Sequence, residues 1–238
     1  MKILLICGHG DGDPGACACG YKEAELVREY APQLKTELSK YAAVDVYDTS
    51  KNLYKVLKNG GSFNFKKYDY VLELHFNAAA YDQNGNGRTT GTEIYVHTTE
   101  SGTSVEQAIV DNICALGFKN RGVQRRSNLL NMNICKGNQG VSYALLETCF
   151  IDDLDDMKLY QAKKNDVVLA ITKGIVDGFG LKPVETKVLT SANDIAYELN
   201  RTYFPIYEMD NFVKVLEEAR IASSPLYWGY YKLVNKAV

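Results

Sequence analysis

Residues 70–80 read YVLELHFNAAA, an apolar run that ends in His75, an asparagine and three alanines. A second apolar run opens the chain as MKILLICGHGDG, residues 1–12, and it ends in His9 between two glycines. Short apolar runs bounded by turn residues predict buried strands. The chain has only three histidines, and two of them therefore stand at equivalent positions, each at the end of a predicted strand.

The pattern around these two runs alternates between strand and helix spacing. Apolar residues recur at four-residue steps from Leu26 to Leu38, which predicts a helix. Further strands are predicted at 44–47, 92–97 and 141–146, and further helices at 53–59, 105–116 and 155–179. The arginine-rich segment between the predicted strands at 92–97 and 141–146 is interpreted as a polar connection. Such alternation favours an α/β fold, with a central, mostly parallel twisted sheet of about six strands flanked by helices on both faces.

The chain divides into two predicted parts. Residues 1–180 form the α/β domain, and residues 181–188 lack periodicity and are interpreted as a linker. Residues 189–238 contain an amphipathic segment and an aromatic one, PLYWGYYKLV, which together predict a small helical module. A module of this size needs most of its large side chains for its own core, so ligand binding or dimer contact is the hypothesis for the remainder.

Composition and charge argue against several classes of protein. The net charge is −2 and charged residues make up 24%, which gives no reason to expect a nucleic-acid partner. No window approaches the roughly 20 apolar residues that a membrane span needs, and the first apolar run is too short for the core of a signal peptide. We interpret the six scattered cysteines as reduced thiols of a cytoplasmic protein.

The histidines and one glutamate predict a site at one edge of the sheet. Ligand sites of parallel α/β sheets lie beyond the carboxyl ends of the strands, and His9, His75 and Glu147 each stand at or just past such an end. Two histidines and one carboxylate, with water at an open position, are a typical ligand set of catalytic zinc. The carboxylate is expected in the first helix turn after the glycine loop, where Glu23 is the best candidate and Glu25 the second.

Glu147 is the candidate base for a zinc-bound water, whose pKa falls to about 7. It follows an apolar strand, where desolvation raises the pKa of a carboxyl toward the working range. Two alternatives stay open. Either histidine can bond a backbone group, and the loop GHGDGDPG at 8–15 can cradle a phosphate. The phosphate alternative lacks a following G-K-[ST], and the two aspartates of the loop would repel the anion.

Several ordered motifs carry a resemblance to a known family. They are GHG-x-x-D-P-G-A at 8–16, KEAELV at 22–27, ELHFNA at 73–78, GTEIYV at 91–96, NRGV at 120–123 and LLETCFIDDLDD at 145–156. Over about residues 1–180 the chain resembles the zinc-dependent N-acetylmuramoyl-L-alanine amidases of bacterial autolysins and phage endolysins. The resemblance implies a mostly parallel sheet flanked by helices, and hydrolysis of the amide that joins N-acetylmuramic acid to L-alanine in peptidoglycan.

The resemblance also implies the roles of the site residues. His9, Glu23 and His75 match the family's zinc ligands, with one Zn²⁺ per chain, and Glu147 matches the catalytic glutamate. The chain departs from the family at two points. Ala24 replaces the lysine that follows the glutamate ligand, which leaves Glu25 open as an alternative ligand, and Cys149 stands where glycine is frequent.

Three further residues and one loop have other candidate roles. Asn77 and Arg121 are candidates for substrate binding or for stabilising the oxyanion, although the first can equally cap a strand and the second can be a loop charge. His97 lies on an alternating strand and is expected outside the ligand set. Residues 82–93 fit the calcium-loop pattern D-x-N-x-N-G-x5-E, which ends at Glu93, but a coincidence of turn-forming residues is commoner.

Three functions remain open at this stage. The first is an endolysin, which the absence of a secretion signal favours over a secreted autolysin: it would wait in the host cytoplasm and then reach the bacterial cell wall, without membrane insertion. The second is a zinc peptidase of the carboxypeptidase kind, which can use the same ligands. The third is a non-catalytic wall-binding protein. A homo-oligomer formed through the C-terminal module is a further expectation.

Overall fold

The structure is a computed structural model, and it describes residues 1–184 of the chain. The predicted module at 189–238 and the last part of the predicted linker lie outside the described residues. The last helix of the described part ends at Phe179, and Gly180 follows it in the left-handed conformation with φ 63°. Glycine adopts this conformation without a steric penalty and commonly ends helices.

Strands and helices alternate along the described residues. The strands are β1 (Lys2–Cys7), β2 (Cys17–Ala18), β3 (Tyr21–Lys22), β4 (Ala43–Val46), β5 (Tyr70–Asn77), β6 (Thr92–His97), β7 (Asn120–Arg126) and β8 (Ser142–Phe150). The helices are α1 (Glu23–Leu38), α2 (Leu53–Lys58), α3 (Ser104–Cys114), the short α4 (Leu130–Met132) and α5 (Leu154–Phe179). A 3-10 turn spans Phe65–Lys67, and a π-helical segment, Asn133–Asn138, continues α4.

Six of these strands form one mixed sheet in the order β4-β1-β5-β8-β6-β7. All neighbours run parallel except β6 and β8, which are antiparallel. The two short strands β2 and β3 pair separately as a hairpin between β1 and α1. The predicted α/β fold with a mostly parallel sheet is therefore confirmed.

Alternation along the strands divides the core into two layers. Leu72 and Leu74 of β5 pack with α1, α3 and α5 on one face of the sheet. Val71, on the same strand, points the other way and packs with α2, the 3-10 turn and the α4 segment. Side chains of a strand alternate between faces, so β5 is buried on both faces, as expected for a central strand of a sheet covered on two sides.

The structure differs from the sequence prediction mainly at two segments. The arginine-rich connection is the strand β7, which lies at an edge of the sheet and pairs only with β6. Most of its residues are partly or fully exposed, so it carries no apolar alternation that would predict a strand. Residues 130–138, for which no element was predicted, are helical. α5 is continuous in the chain but has a non-helical residue, Lys163, with φ −128°.

No helix within residues 1–184 combines the length and the apolar content that crossing a bilayer requires.

Substitution of Gly174 by alanine is expected to lower the free energy of unfolding by about 1–3 kcal/mol, because α3 and α5 touch there. An added Cβ would lie 2.6 Å from the backbone N and Cα of Ile109. Gly102→Ala is the matched control, since no atom lies within 4 Å of its added Cβ. Urea denaturation measures both variants. Equal stability of the two would contradict the close packing of the helices.

Candidate active site

Three side chains form a row across the middle of the sheet. In the strand register, His75 of β5 lies opposite Glu147 of β8, and Glu147 lies opposite Glu93 of β6. Residues directly opposite each other on paired strands project from the same face. β5 and β8 run parallel, so His75 and Glu147 meet where both strands approach their carboxyl ends. The structure thus brings together two of the residues that the sequence predicted to meet.

His9 and Glu23 complete a cluster with His75. Nε2 of His9 lies 3.1 Å from Oε2 of Glu23, and Nδ1 of His75 lies 2.8 Å from Oε1 of the same carboxylate. One potential ligand atom from each of the three residues lies within 4.8 Å of the others. Glu25, the alternative ligand, has a side chain that is 69% exposed and is paired with Lys22. The geometry therefore favours Glu23, which is 3% exposed, over Glu25.

Backbone conformation and glycines make room for this cluster, called here the His-Glu-His triad (His9, Glu23 and His75). His9 has φ 60°, a conformation that turns the chain sharply after β1. A Cβ at Gly8 would lie 2.3 Å from the ring of His75, and a Cβ at Gly15 would lie 2.6 Å from Glu23 Oε2. These two positions therefore require glycine if the three side chains are to converge.

The donor set of the triad fits zinc. Two imidazole nitrogens and one carboxylate oxygen are ordinary ligands of catalytic Zn²⁺. Nδ1 of His9, the nitrogen on the far side from Glu23, lies 3.0 Å from Oδ2 of Asp13. An outer carboxylate of this kind fixes the tautomer and the orientation of a histidine ligand. The triad thus has both the inner atoms and part of the outer shell that a zinc site requires.

The charges of the triad are strongly coupled. Burial alone would raise the pKa of Glu23, but its hydrogen bonds to His75 and His9 outweigh burial and hold that pKa well below the ordinary range. Burial alone would lower the pKa of His75, but the hydrogen bond to Glu23 and the nearby negative charge of Glu73 raise it well above its usual value. Each imidazole therefore has one ring nitrogen within hydrogen-bond distance of the Glu23 carboxylate, and metal binding at these atoms would release any proton held between them.

Glu147 is a buried carboxyl beside the triad. Its burial raises the pKa of the carboxyl to about 7, and the charge of His75 only partly offsets that effect. Oε2 of Glu147 is shielded from solvent and has no hydrogen-bond partner within the described residues. A carboxyl with a pKa near neutrality can both accept and return a proton at physiological pH.

The raised pKa of Glu147 predicts a pH-dependent stability difference in the metal-free protein. The folded chain holds the proton up to about pH 7, whereas the ordinary value is 4.5. Between these pH values the unfolded state binds fewer protons, so stability falls as pH rises. Glu147→Gln removes this loss, and we expect the variant to gain about 3 kcal/mol over wild type between pH 4.5 and pH 8. Urea denaturation in chelator measures the free energy of unfolding of both proteins. A difference between them that does not change with pH would contradict the prediction.

Asn77 and Arg121 meet at Glu93, one strand away from Glu147. Nδ2 of Asn77 donates to Glu93 Oε1 over 2.7 Å, and Nε of Arg121 lies 3.2 Å from the same oxygen. The guanidinium of Arg121 also lies over the ring of Phe150, 4.8 Å from its centroid. Both candidates for substrate or oxyanion contacts are thus ordered near the row that contains Glu147.

Several residues that support the site were not singled out from the sequence. Arg28 donates from Nη1 to the carbonyl of Gly8 and from Nη2 to the carbonyl of His9, each over 2.9 Å. The spacing of Asp13, four residues after His9 in a glycine loop, could have indicated its role. Nothing in the local sequence marks Arg28, because its contact depends on how α1 packs beside the loop.

The calcium-loop pattern at 82–93 is not assembled as a binding site. Glu93, its last predicted ligand, lies in β6 and belongs to the row with Glu147. Three backbone N–H groups of the loop donate to Asp155 instead. Asp82 lies with Asp153 and Asp155 in a group of three carboxylates, but this group does not include the other residues of the pattern. Glu93 therefore does not join the loop residues of the pattern in a single group of potential ligands.

His97 lies outside the triad, in agreement with its predicted exclusion from the ligand set. It is 8% exposed, and its Nδ1 lies 2.8 Å from the hydroxyl of Thr99.

A cavity of about 350 Å³ opens beside the triad. Its wall includes His9 and His75, and its other lining residues come mainly from α2, from β5 and β8, and from the segment at 128–131. Apolar side chains such as Leu129 line it together with polar ones such as Asn131. A substrate segment of a few residues can therefore lie directly against the triad.

Comparison with known sequences agrees with the geometry. A model of the N-acetylmuramoyl-L-alanine amidase family matches residues 3–177. A probable autolysin of Staphylococcus aureus is 27% identical over 252 residues, which cover 98% of this chain and 48% of the autolysin. The endolysin of Bacillus phage SPP1 is 29% identical over 190 residues, which cover 76% of this chain and 66% of the endolysin. The chain thus spans about half the length of the first relative and about two thirds of the second.

Solved structures share the fold. The catalytic domain of the CD27L endolysin, which targets Clostridia difficile, superimposes with a TM-score of 0.57 at 23% identity, over 78% of this chain and 99% of that one. The catalytic domain of CwlV, an N-acetylmuramoyl-L-alanine amidase from Bacillus (Paenibacillus) polymyxa, gives 0.58 at 21% identity, over 76% of this chain and 100% of that one. At these identities the likeness concerns the fold.

Proposed function

Because the chain belongs to the N-acetylmuramoyl-L-alanine amidase family, we propose that it hydrolyses the amide between N-acetylmuramic acid and L-alanine in peptidoglycan. One zinc ion per chain would be held by His9, Glu23 and His75. The observation that carries the proposal is the convergence of these three potential ligands next to Glu147, whose pKa is raised to about 7 by burial.

Zinc, when bound, would polarise the amide carbonyl and make a water molecule more acidic. Glu147 then accepts a proton from the attacking water at its carboxylate oxygen. It delivers the proton to the nitrogen of L-alanine as the carbon–nitrogen bond breaks. A carboxyl with a pKa near 7 is matched to both steps, since it is neither too weak a base for the first nor too weak an acid for the second.

Asn77 and Arg121 are the proposed contacts to the substrate or to the oxyanion. Glu93 holds both side chains, so they are ordered before substrate arrives. Pre-organised donors stabilise developing negative charge without reorganisation during the reaction. The cavity beside the triad would hold part of the substrate close to the metal.

The biological role that fits this activity is lysis of bacterial cells by a phage endolysin. The similarity to the SPP1 endolysin and to the staphylococcal autolysin supports a bacterial wall polymer as substrate. The enzyme would stay in the host cytoplasm until it is released to the wall. Wall binding and oligomerisation through residues 189–238 belong to the same proposal.

Mass spectrometry of digested peptidoglycan, with and without a chelator, tests the reaction and the metal together. We expect new N-terminal L-alanine and intact lactyl groups on the glycan, and loss of both products in chelator. Release of carboxy-terminal amino acids instead would identify a carboxypeptidase. Wall binding without any release, in a protein that carries no zinc, would identify a non-catalytic wall-binding protein.

A further inference from the structure

The two ring nitrogens of His75 face different carboxylates. Nδ1 lies 2.8 Å from Glu23, on the side of the ring where the triad converges. Nε2 lies 3.3 Å from Oε1 of Glu73 on the other side. Nε2 is shielded from solvent and has no hydrogen bond of good geometry within the described residues. Glu73 is thus the nearest acceptor for a proton on Nε2.

Glu73 precedes His75 by two residues, so both side chains project from the same face of β5. The carboxylate is 5% exposed, and within residues 1–184 no lysine or arginine forms an ion pair with it. A buried carboxylate is costly unless it is paired and hydrogen-bonded. The imidazole of His75 is therefore its only ionic partner in the described part of the chain.

Asn131 of α4 holds this carboxylate in place. Its Nδ2 lies 3.0 Å from Oε1 and 3.2 Å from Oε2 of Glu73, and the residue is 4% exposed. Both side chains are thus nearly buried, at the wall of the cavity beside the triad. The contact joins the helical segment at 130–138 to β5.

We propose that Glu73 and Asn131 are positioning residues that fix the orientation and tautomer of the zinc ligand His75. Glu73 accepts the hydrogen on Nε2, which leaves the lone pair of Nδ1 free to face the triad. Asn131 acts on His75 only through Glu73. This inference rests on the proposed zinc site. Glu73 would support His75 from outside the ligand set in the same way that Asp13 supports His9.

Loss of an outer carboxylate typically weakens metal binding 10- to 100-fold, because the ligand becomes less basic and less well oriented. We therefore expect Glu73→Gln to raise the zinc dissociation constant roughly 10- to 100-fold, and Asn131→Ala to raise it by a smaller factor. The double variant should bind zinc no more weakly than Glu73→Gln alone, because Asn131 acts on His75 only through its contact with Glu73.

The experiment measures the zinc dissociation constant of the full chain by competition with a chromophoric chelator, together with the absorption spectrum of the cobalt(II) form. Glu106→Gln is the matched control: it removes another buried carboxylate, which bonds Tyr70 rather than the triad. This control should leave the zinc affinity and the cobalt spectrum unchanged. Urea denaturation in chelator shows whether each variant folds.

The outcomes separate this proposal from the proposed reaction. Zinc affinity of Glu73→Gln equal to that of wild type would overturn the positioning role, whatever the hydrolytic activity. Additive losses in the double variant would overturn the route through Glu73. If Glu73→Gln does not fold, Asn131→Ala decides, and unchanged zinc affinity in that variant would also overturn the positioning role.

The wild-type protein tests the two proposals separately. Wild type that binds zinc but releases no L-alanine would overturn the proposed reaction alone, and wild type that binds no zinc would overturn both proposals.

Discussion

Replacing Glu147 by glutamine is expected to lower kcat for release of L-alanine roughly 10³-fold, the middle of the range for loss of a general acid–base group. Glutamine keeps the shape of the side chain but cannot take a proton from water. Zinc content should stay near that of wild type, because Glu147 lies beside the triad and is not one of its three members. Peptidoglycan digestion with quantified N-terminal alanine, and zinc analysis of the same sample, measure both quantities.

Glu37→Gln is the control for this prediction. Glu37 lies near the end of α1 and pairs with Lys40 on the surface, so its loss should leave kcat within about twofold of wild type. A kcat for Glu147→Gln within tenfold of wild type would show that another group accepts the proton. Retained zinc combined with lost turnover would separate a role in proton transfer from a role in metal binding.

Candidate site residues could be selected from the sequence because they stand at the ends of apolar strands. The positions of His75 and Glu147 follow from the general rule that parallel strands present their carboxyl ends at one edge of the sheet. The structure places them directly opposite each other in the register. Glu73 could also have been found from the sequence. It is a charged residue within an apolar strand, and it stands two residues before the candidate ligand His75, so both side chains project from the same face of the strand.

Other parts of the site depend on tertiary contacts that a local pattern does not contain. Arg28 supports the ligand loop across 19 residues of sequence, and Asn131 reaches Glu73 across 58. The strand β7, which carries Arg121, was missed because an exposed edge strand needs no apolar alternation. The residues at 82–93 match a calcium-loop pattern through their turn-forming side chains, but the strand position of Glu93 in β6 cannot be read from that pattern.

Substituting Glu23 by alanine is expected to weaken zinc binding roughly 10²- to 10³-fold, if about 10 kcal/mol of binding free energy is shared among three ligands. Hydrolysis should fall with zinc occupancy and should not return when neutral buffer is supplemented with equimolar zinc. The structural reason is that both histidines face this one carboxylate, at 3.1 and 2.8 Å. Titration against a chelator of known affinity gives the dissociation constant, and metal analysis gives the occupancy.

Glu25→Ala is the control that separates the two glutamates left open by the sequence. Glu25 lies only two residues further along α1, but its side chain is exposed and pairs with Lys22, so it points away from the triad. We expect its zinc affinity to stay within about twofold of wild type and its free energy of unfolding within about 0.5 kcal/mol. Weaker zinc binding in Glu25→Ala than in Glu23→Ala would reverse the assignment. Two residues turn a helix by about 200°, so only one of these carboxylates can reach both histidines from the first turn of α1.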